Sequence, residues 1–364
     1  MSPLDPLYPL AAGSLFDYTD GGPMADIPVT MRALELRAYD GRPASLAVVE
    51  RPVPQPGPGQ ILVRISAAPI NPSDLMFVRG QYGFLKPLPA IPGFEGSGTV
   101  VAAGKGVMPR ILLGRRVACA AADVSIRGGT WAEYLVTSAQ YAMPLARSVD
   151  LEQAAMLLVN PLTAWALVEM ARLGRHRAVV QTAAASALGR MIVRLGRRLS
   201  LPVINIVRRQ EQADELRSLS AEHILVSTDA DFDRQLKQLA GRLQATLAFD
   251  AVSGELTRRV LDAMPKGSRV LVYGALSLEA AQANPQSLIF EGKEVGGFWL
   301  TRWLADKSLP ARFRISRQVQ NLLTSDLRSE VQARLPLEAG AEALDRYAGN
   351  MTAGKVLFVP RVGT

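Results

Sequence analysis

From Ala178 to Tyr273 short apolar runs alternate with helical segments, and no other feature restricts the fold of this chain as much. Ala178-Val179-Val180-Gln181, Val203–Val207, Ile224–Val226, Ala245–Asp250 and Arg269–Tyr273 read as strands, and 187–199 and 210–219 read as helices. Repeated strand–helix–strand units build a parallel sheet with helices on both faces. The expected class is therefore α/β with a doubly wound parallel sheet.

Residues 31 to about 150 follow a different grammar. Apolar runs such as Ile61–Ile65, Gly98–Val101 and Arg116–Ala118 are cut by Gly and Pro, which suggests a β-rich partial barrel. Glu50 to Gln60, with four prolines, reads as a rigid extended link. The last fifty residues predict a helix near 338–348 and a strand over Lys355–Val359. A length of 364 residues suits two domains.

Residues 1–30 match neither half. They carry four aspartates and no Lys or Arg, so they lack the positive charge of a secretory signal or a transit peptide. A disordered leader is the expectation, and Met31-Arg32-Ala33-Leu34 resembles a natural start. No apolar run reaches the length of a membrane span. The only cysteine, Cys119, excludes internal disulfides and a four-cysteine zinc lobe. It is expected in a buried strand of a protein from a reducing compartment, the cytoplasm. The net charge of +8 admits an anionic ligand or surface. Arg190, Arg194, Arg197 and Arg198 share a helix face that reads as solvated, and no aromatic residues interleave with them as nucleic-acid binding would want. Nucleic acid and membrane are not expected partners.

Asn71 to Gly104 reads NPSDLMFVRGQYGFLKPLPAIPGFEGSGTVVAAG. The Asn-Pro-Ser-Asp start, the Gly80-Gln81-Tyr82-Gly83 turn and the Pro-Gly-Phe-Glu-Gly-x-Gly end resemble the medium-chain dehydrogenase/reductase superfamily in its zinc-independent branch. Within it the Tyr82 turn is similar to that of mitochondrial-type trans-2-enoyl-thioester reductases, and most of the scaffold is shared with quinone oxidoreductases. The resemblance implies a GroES-like catalytic domain over 31–154 and 306–364, a Rossmann dinucleotide-binding domain over 155–305, a small-molecule substrate and a homodimer.

The first strand–helix junction of the α/β half is Gln181-Thr182-Ala183-Ala184-Ala185-Ser186-Ala187-Leu188-Gly189. Small residues there, Ala185, Ser186 and Ala187 among them, let a backbone approach a pyrophosphate at a helix N-terminus, and Leu188 follows them in the expected cofactor turn. A plain packing turn would read the same way. The next strand ends in Arg208-Arg209, where an acid would bind the ribose of NAD. Two guanidiniums suit a 2′-phosphate, so NADPH is the expected cofactor. The resemblance adds Asn160 and Thr163 in a loop beneath the nicotinamide, Tyr273-Gly274-Ala275 at a strand end, and Phe298, Trp299, Leu300 and Lys355 lining nicotinamide and pyrophosphate.

Zinc-dependent relatives place Cys and His where this chain has Asn71-Pro72-Ser73-Asp74 and Gly93-Phe94-Glu95. His176 and His223 lack partners at metal-ligand spacing, so no metal is expected. Reduction of a conjugated bond remains. It needs a group that stabilises the developing oxyanion and protonates Cα. The resemblance implies that Tyr82 is this donor and that Asn71 orients the carbonyl or the tyrosine hydroxyl. Glu95 reads as a residue that holds the loop. Quinone reduction is the competing activity. A cofactor- or RNA-binding regulator without turnover is a third reading.

Overall fold

The computed structural model of the chain describes residues 27–121 and 127–360. Most of the expected leader lies outside them. Residues 27–30 do not: Ile27 packs on the core, Val53 N donates to Val29 O at 3.0 Å, and Thr30 opens the first strand.

The strand-rich half starts with an antiparallel pair, β1 (Thr30–Leu36) and β2 (Leu46–Pro52). Its long antiparallel core is β3 (Gln60–Pro69), β4 (Glu95–Ala103) and β5 (Arg116–Ala120), with β6 (Tyr134–Ser138) on β3 and β7 (Ala142–Pro144) on β5. Two short helices, α1 (Pro72–Val78) and α2 (Val107–Leu112), are inserted. Pro72 starts α1 with its φ preset, and Asn71 and Asp74 form a capping box that satisfies its first amides. Trp131, Phe77, Ile61, Leu62 and Phe358 are buried in this half's core. Cys119 lies in β5, fully buried, and burial pushes its thiol up to about 12.

After α3 (Leu151–Ala155) and α4 (Asn160–Leu173) come the alternating units. They are β8 (Ala178–Gln181), α5 (Ala187–Arg198), β9 (Val203–Val207), α6 (Gln210–Ser218), β10 (His223–Val226), α7 (Phe232–Leu243) and β11 (Ala245–Asp250). Then follow α8 (Glu255–Ala263), β12 (Arg269–Val272), α9 (Pro285–Glu291) and β13 (Glu294–Gly297). The six strands are all parallel, in the order β10-β9-β8-β11-β12-β13. The chain order reverses between β8 and β11, so a crevice opens at their carboxyl ends, where such sheets bind ligands.

The chain ends with α10 (Leu300–Ala305), α11 (Leu309–Leu322), β14 (Val331–Leu335), α12 (Gly340–Gly349) and β15 (Lys355–Phe358). β15 pairs antiparallel with β3, which returns the tail to the strand-rich half. Ile315, Val319 and Leu322 of α11, with Leu327, pack in one apolar cluster with α4 and α5 and with Leu145 and Val149 of the strand-rich half.

Two expectations change, the second of them in part. Asn160 and Thr163 are not in a loop: they form the buried first turn of α4. The arginine face of α5 is solvated only in part: Arg197 and Arg198 are exposed as expected, and Arg190 and Arg194 are not. Arg190 is 8% exposed and donates to Thr352 O at 2.9 Å, and Arg194 donates to Asp326 O and Arg328 O at 2.8 and 2.9 Å. A guanidinium aligned along a helix face can serve carbonyls of a neighbouring segment as well as water.

Candidate active site

A buried polar cluster forms where α1, β4, α12 and β15 converge. Asn71 N donates to Asp74 Oδ2 at 2.8 Å, and Phe94 N to Asp74 Oδ1 at 3.0 Å. Asn71 Nδ2 donates to Glu95 Oε1 at 2.9 Å, while Glu95 Oε2 accepts from Val159 N at 2.9 Å, just before α4. Lys355 Nζ donates to Asn71 Oδ1, and lies 3.4 Å from Ile70 O and 3.3 Å from Tyr347 OH. Asn71, Asp74, Glu95 and Lys355 are all at most 1% exposed. Burial pushes the Asp74 carboxyl up to about 7 and raises Glu95, against the pull of the Lys355 ammonium. Burial likewise lowers Lys355, against the pull of both carboxylates. Buried charges of this kind persist only when paired and hydrogen-bonded.

This arrangement revises two sequence expectations. The Asn71 amide is committed to Lys355 and Glu95 in a fully buried position, so Asn71 shapes the site from beneath. Lys355 turns its ammonium into the cluster and offers none of it to a pyrophosphate. Glu95 holds two segments together, as expected.

Tyr82 sits above the cluster, half-buried. Its ring lies 4.6 Å from Phe94, tilted, and 5.0 Å from Phe84, edge to face. Phe94 is fixed in turn by the hydrogen bond that its backbone amide donates to Asp74 and by Gly93. A Cβ at Gly93 would come within 2.4 Å of Thr130 Oγ1 and 2.9 Å of Trp131 N, and its φ of +94° suits glycine. Burial raises the Tyr82 phenol above its usual 10, the Asp74 charge adds to this, and a hydrogen bond with the Trp299 side chain opposes it. Trp299 comes from the other domain. Trp299 is extended and stands at the N-cap of α10; Phe298 and Leu300 on either side pack on the apolar cluster of α4 and α5, while the Trp299 side chain stays exposed. The two residues therefore meet across the interdomain cleft.

The sheet side fits a dinucleotide. Ala183 takes a left-handed φ of +49°, and Ser186 caps α5 by accepting from Gly189 N. The amides of Ala187 and Leu188 have no acceptor inside the helix. A Cβ at Gly189 would come within 2.4 Å of Ala184 O, so the one glycine kept is the one that lets helix and turn touch. Gly274 likewise lies against the end of β11, where a Cβ would be 2.9 Å from Ala251 O. Between them, just past β12, the Tyr273 hydroxyl is buried and has no hydrogen-bond partner among the described residues. An unsatisfied buried hydroxyl is costly, and a bound ligand would relieve it. Ala275 follows in the same turn, its carbonyl accepting from Leu278 N.

Farther along the same edge lies a cleft of about 280 Å³ lined by Arg208, Ser227, Thr228, Ser253, Glu255 and Arg259, among others. Arg208 opens into it, and its guanidinium has no protein partner among the described residues. Arg209 is not in the lining. It caps α6 and lies 3.9 Å from Glu211. A cluster of His, Cys, Asp and Glu able to hold a metal does not occur among the described residues.

The sequence reading missed Asp74, Tyr347 and Arg259. The Asn-x-x-Asp capping box was a visible signal for Asp74. Nothing local pointed to the other two, which reach their neighbours through the fold.

Residues 57–147 match the alcohol dehydrogenase GroES-like domain, and residues 187–314 match the zinc-binding dehydrogenase domain. The chain is 33% identical over 259 residues to the human mitochondrial enoyl-[acyl-carrier-protein] reductase, covering 70% of this chain and 68% of that one. It is 31% identical to the bovine enzyme of the same name, over 79% and 77% of the two chains. A crystal structure from Mesorhizobium loti, titled for NADPH:quinone reductase, superposes with a TM-score of 0.85 at 34% identity, over 92% of this chain and all of that one. The chain belongs to the medium-chain dehydrogenase/reductase superfamily, in its zinc-independent branch, and is a pyridine-nucleotide-binding oxidoreductase.

Proposed function

We propose that the protein reduces the C=C bond of 2-enoyl thioesters or similarly activated alkenes with NADPH. The observation that carries this reading is the Tyr82 hydroxyl, held in an aromatic frame at the mouth of the interdomain cleft beside Trp299. A bound NADPH supplies the hydride that adds to Cβ. The Tyr82 hydroxyl then donates its proton to Cα, and the phenolate regains one from water at the cleft mouth. A raised phenol pKa keeps that proton in place at neutral pH. Asp74 and Phe94 fix the ring, and the Lys355–Asn71–Glu95 cluster fixes the loop that bears it. The relatives named for enoyl-[acyl-carrier-protein] reduction support the thioester as substrate.

Arg208 supports NADPH over NADH, because an uncommitted guanidinium at the edge of the ribose-end cleft suits a 2′-phosphate. Quinone reduction is the second reading, favoured by the likeness to the Mesorhizobium loti structure. RNA binding finds less support, since Arg190, Arg194 and Arg198 are occupied by the protein itself. A cytoplasmic homodimer is the assembly we favour. β13 is an edge strand, and Ile289 and Phe290 on the preceding helix are 70% and 76% exposed. NADPH consumption across a panel of enoyl-CoAs, enones and quinones tests the function. Turnover of quinones alone would replace the first reading by the second.

A further inference from the structure

The arginine face of α5 takes no part in the reaction described above, yet it is heavily engaged. Arg190, Arg194 and Arg198 recur every four residues and so lie on one face. Arg198 pairs with the Asp326 carboxylate at 3.0 Å, and Arg194 holds the carbonyls of Asp326 and Arg328. These contacts grip the chain as it leaves the parallel-sheet half. Arg190 grips it again 24 residues after Arg328, at the Thr352 carbonyl, and pairs with Glu215 on α6. One helix thus ties both ends of the segment that carries β14 and α12.

The placement of Arg190 at both of its ends is informative. Its backbone lies in the first turn of α5, where its amide donates to the carbonyl of Ser186, the capping residue. Its guanidinium holds a carbonyl three residues before Lys355. Lys355 in turn donates to Asn71, whose loop carries Tyr82. We propose that Arg190 is a positioning residue that couples the cofactor turn to the buried Lys355 cluster, so that a nucleotide seated on α5 also orders residues 350–358. The inference rests on reading the Thr182–Ser186 turn as the cofactor turn. A planar, forked guanidinium can serve Glu215 and Thr352 together, whereas a lysine ammonium lacks that geometry.

Hydrogen exchange of the full-length protein, with and without NADPH, tests the coupling. In the unmodified protein NADPH should slow exchange both at 182–190 and at 350–358. Arg190→Ala should keep the first effect and lose the second. Its kcat should fall by about ten- to a hundredfold, the scale of small misplacements at a reacting centre, while its Kd for NADPH stays within about twofold. Arg190→Lys should not restore kcat, and Arg197→Ala, altered at an exposed neighbour, should behave as the unmodified protein. Arg190→Gln serves if the alanine variant does not fold. Protection at 350–358 that survives in the Arg190 variants would overturn the proposal, as would a lowered melting temperature with unchanged kcat. Protection at 182–190 alone in the unmodified protein also overturns it. Full coupling in a protein that turns over no alkene would instead sink the proposed reaction and leave the coupling standing.

Discussion

Lys355 donates from its ammonium to the carboxamide oxygen of Asn71, 284 residues earlier in the chain. That bond joins the last strand to the cap of α1 and places a buried positive charge beside Asp74 and Glu95. The cation that balances these two carboxylates is a side chain, and the loop bearing Tyr82 is built on it.

Replacing Lys355 by Met should therefore be severe. It leaves two buried carboxylates without a counter-charge, which costs about 3–5 kcal/mol. The pH dependence follows from the directions of the shifts. The folded-state pKa values of Asp74 and Glu95 already lie above their unfolded values, so their ionisation weakens the fold as pH rises from about 4 through about 7. Without Lys355 both values rise further, and the loss continues to higher pH. Denaturant unfolding should show the deficit of Lys355→Met growing from pH 5 to pH 8. A deficit that shrinks with pH would contradict the cluster's charge assignment.

Cofactor preference separates the two arginines that the sequence treats alike. Arg208→Ala should weaken NADPH binding by about 1.5–3 kcal/mol, the worth of a charged hydrogen bond, and leave NADH nearly unchanged. Arg209→Ala should affect neither much, because its side chain lies outside the cleft lining. Titrations of both nucleotides against both variants check this. Equal affinity of the unmodified protein for NADPH and NADH would end the assignment.

The parallel sheet was legible because each of its strands is a local apolar run, and β8, β9 and β11 begin and end at the expected residues. The Tyr82 turn was legible because its motif is local too. What the sequence hid was contact between distant segments. The carboxamide of Asn71 could face substrate or protein, and only the return of β15 decides for Lys355. The face of α5 reads as solvated because an arginine row looks the same whether water or a carbonyl accepts from it.

The exposed apolar row on α9 carries a prediction about assembly. Phe290→Glu puts a charge where the proposed dimer would bury an aromatic ring, and desolvating an unpaired charge is strongly unfavourable. Sedimentation should find the unmodified protein dimeric and the variant shifted to monomer with its fold intact. A monomeric unmodified protein would remove the reason for the row's exposure proposed here.

Tyr82→Phe removes the hydroxyl and keeps the ring. The contacts with Phe94 and Phe84 survive, so melting temperature and NADPH affinity should barely move. Turnover of an enoyl thioester should fall by roughly 10²–10⁴, the usual worth of a positioned acid. Quinone reduction, if present, should be nearly unaffected, since the product oxygens take protons from water. The pH profile adds a second check. Burial and the Asp74 charge hold the phenol above its ordinary value, so the alkaline limb of kcat should lie above pH 10. Asp74→Asn removes the negative charge that disfavours the phenolate, and the limb should move to lower pH. Full enoyl-thioester turnover in the Phe variant would make Tyr82 a packing residue of the turn and leave quinone reduction as the better account of the cleft.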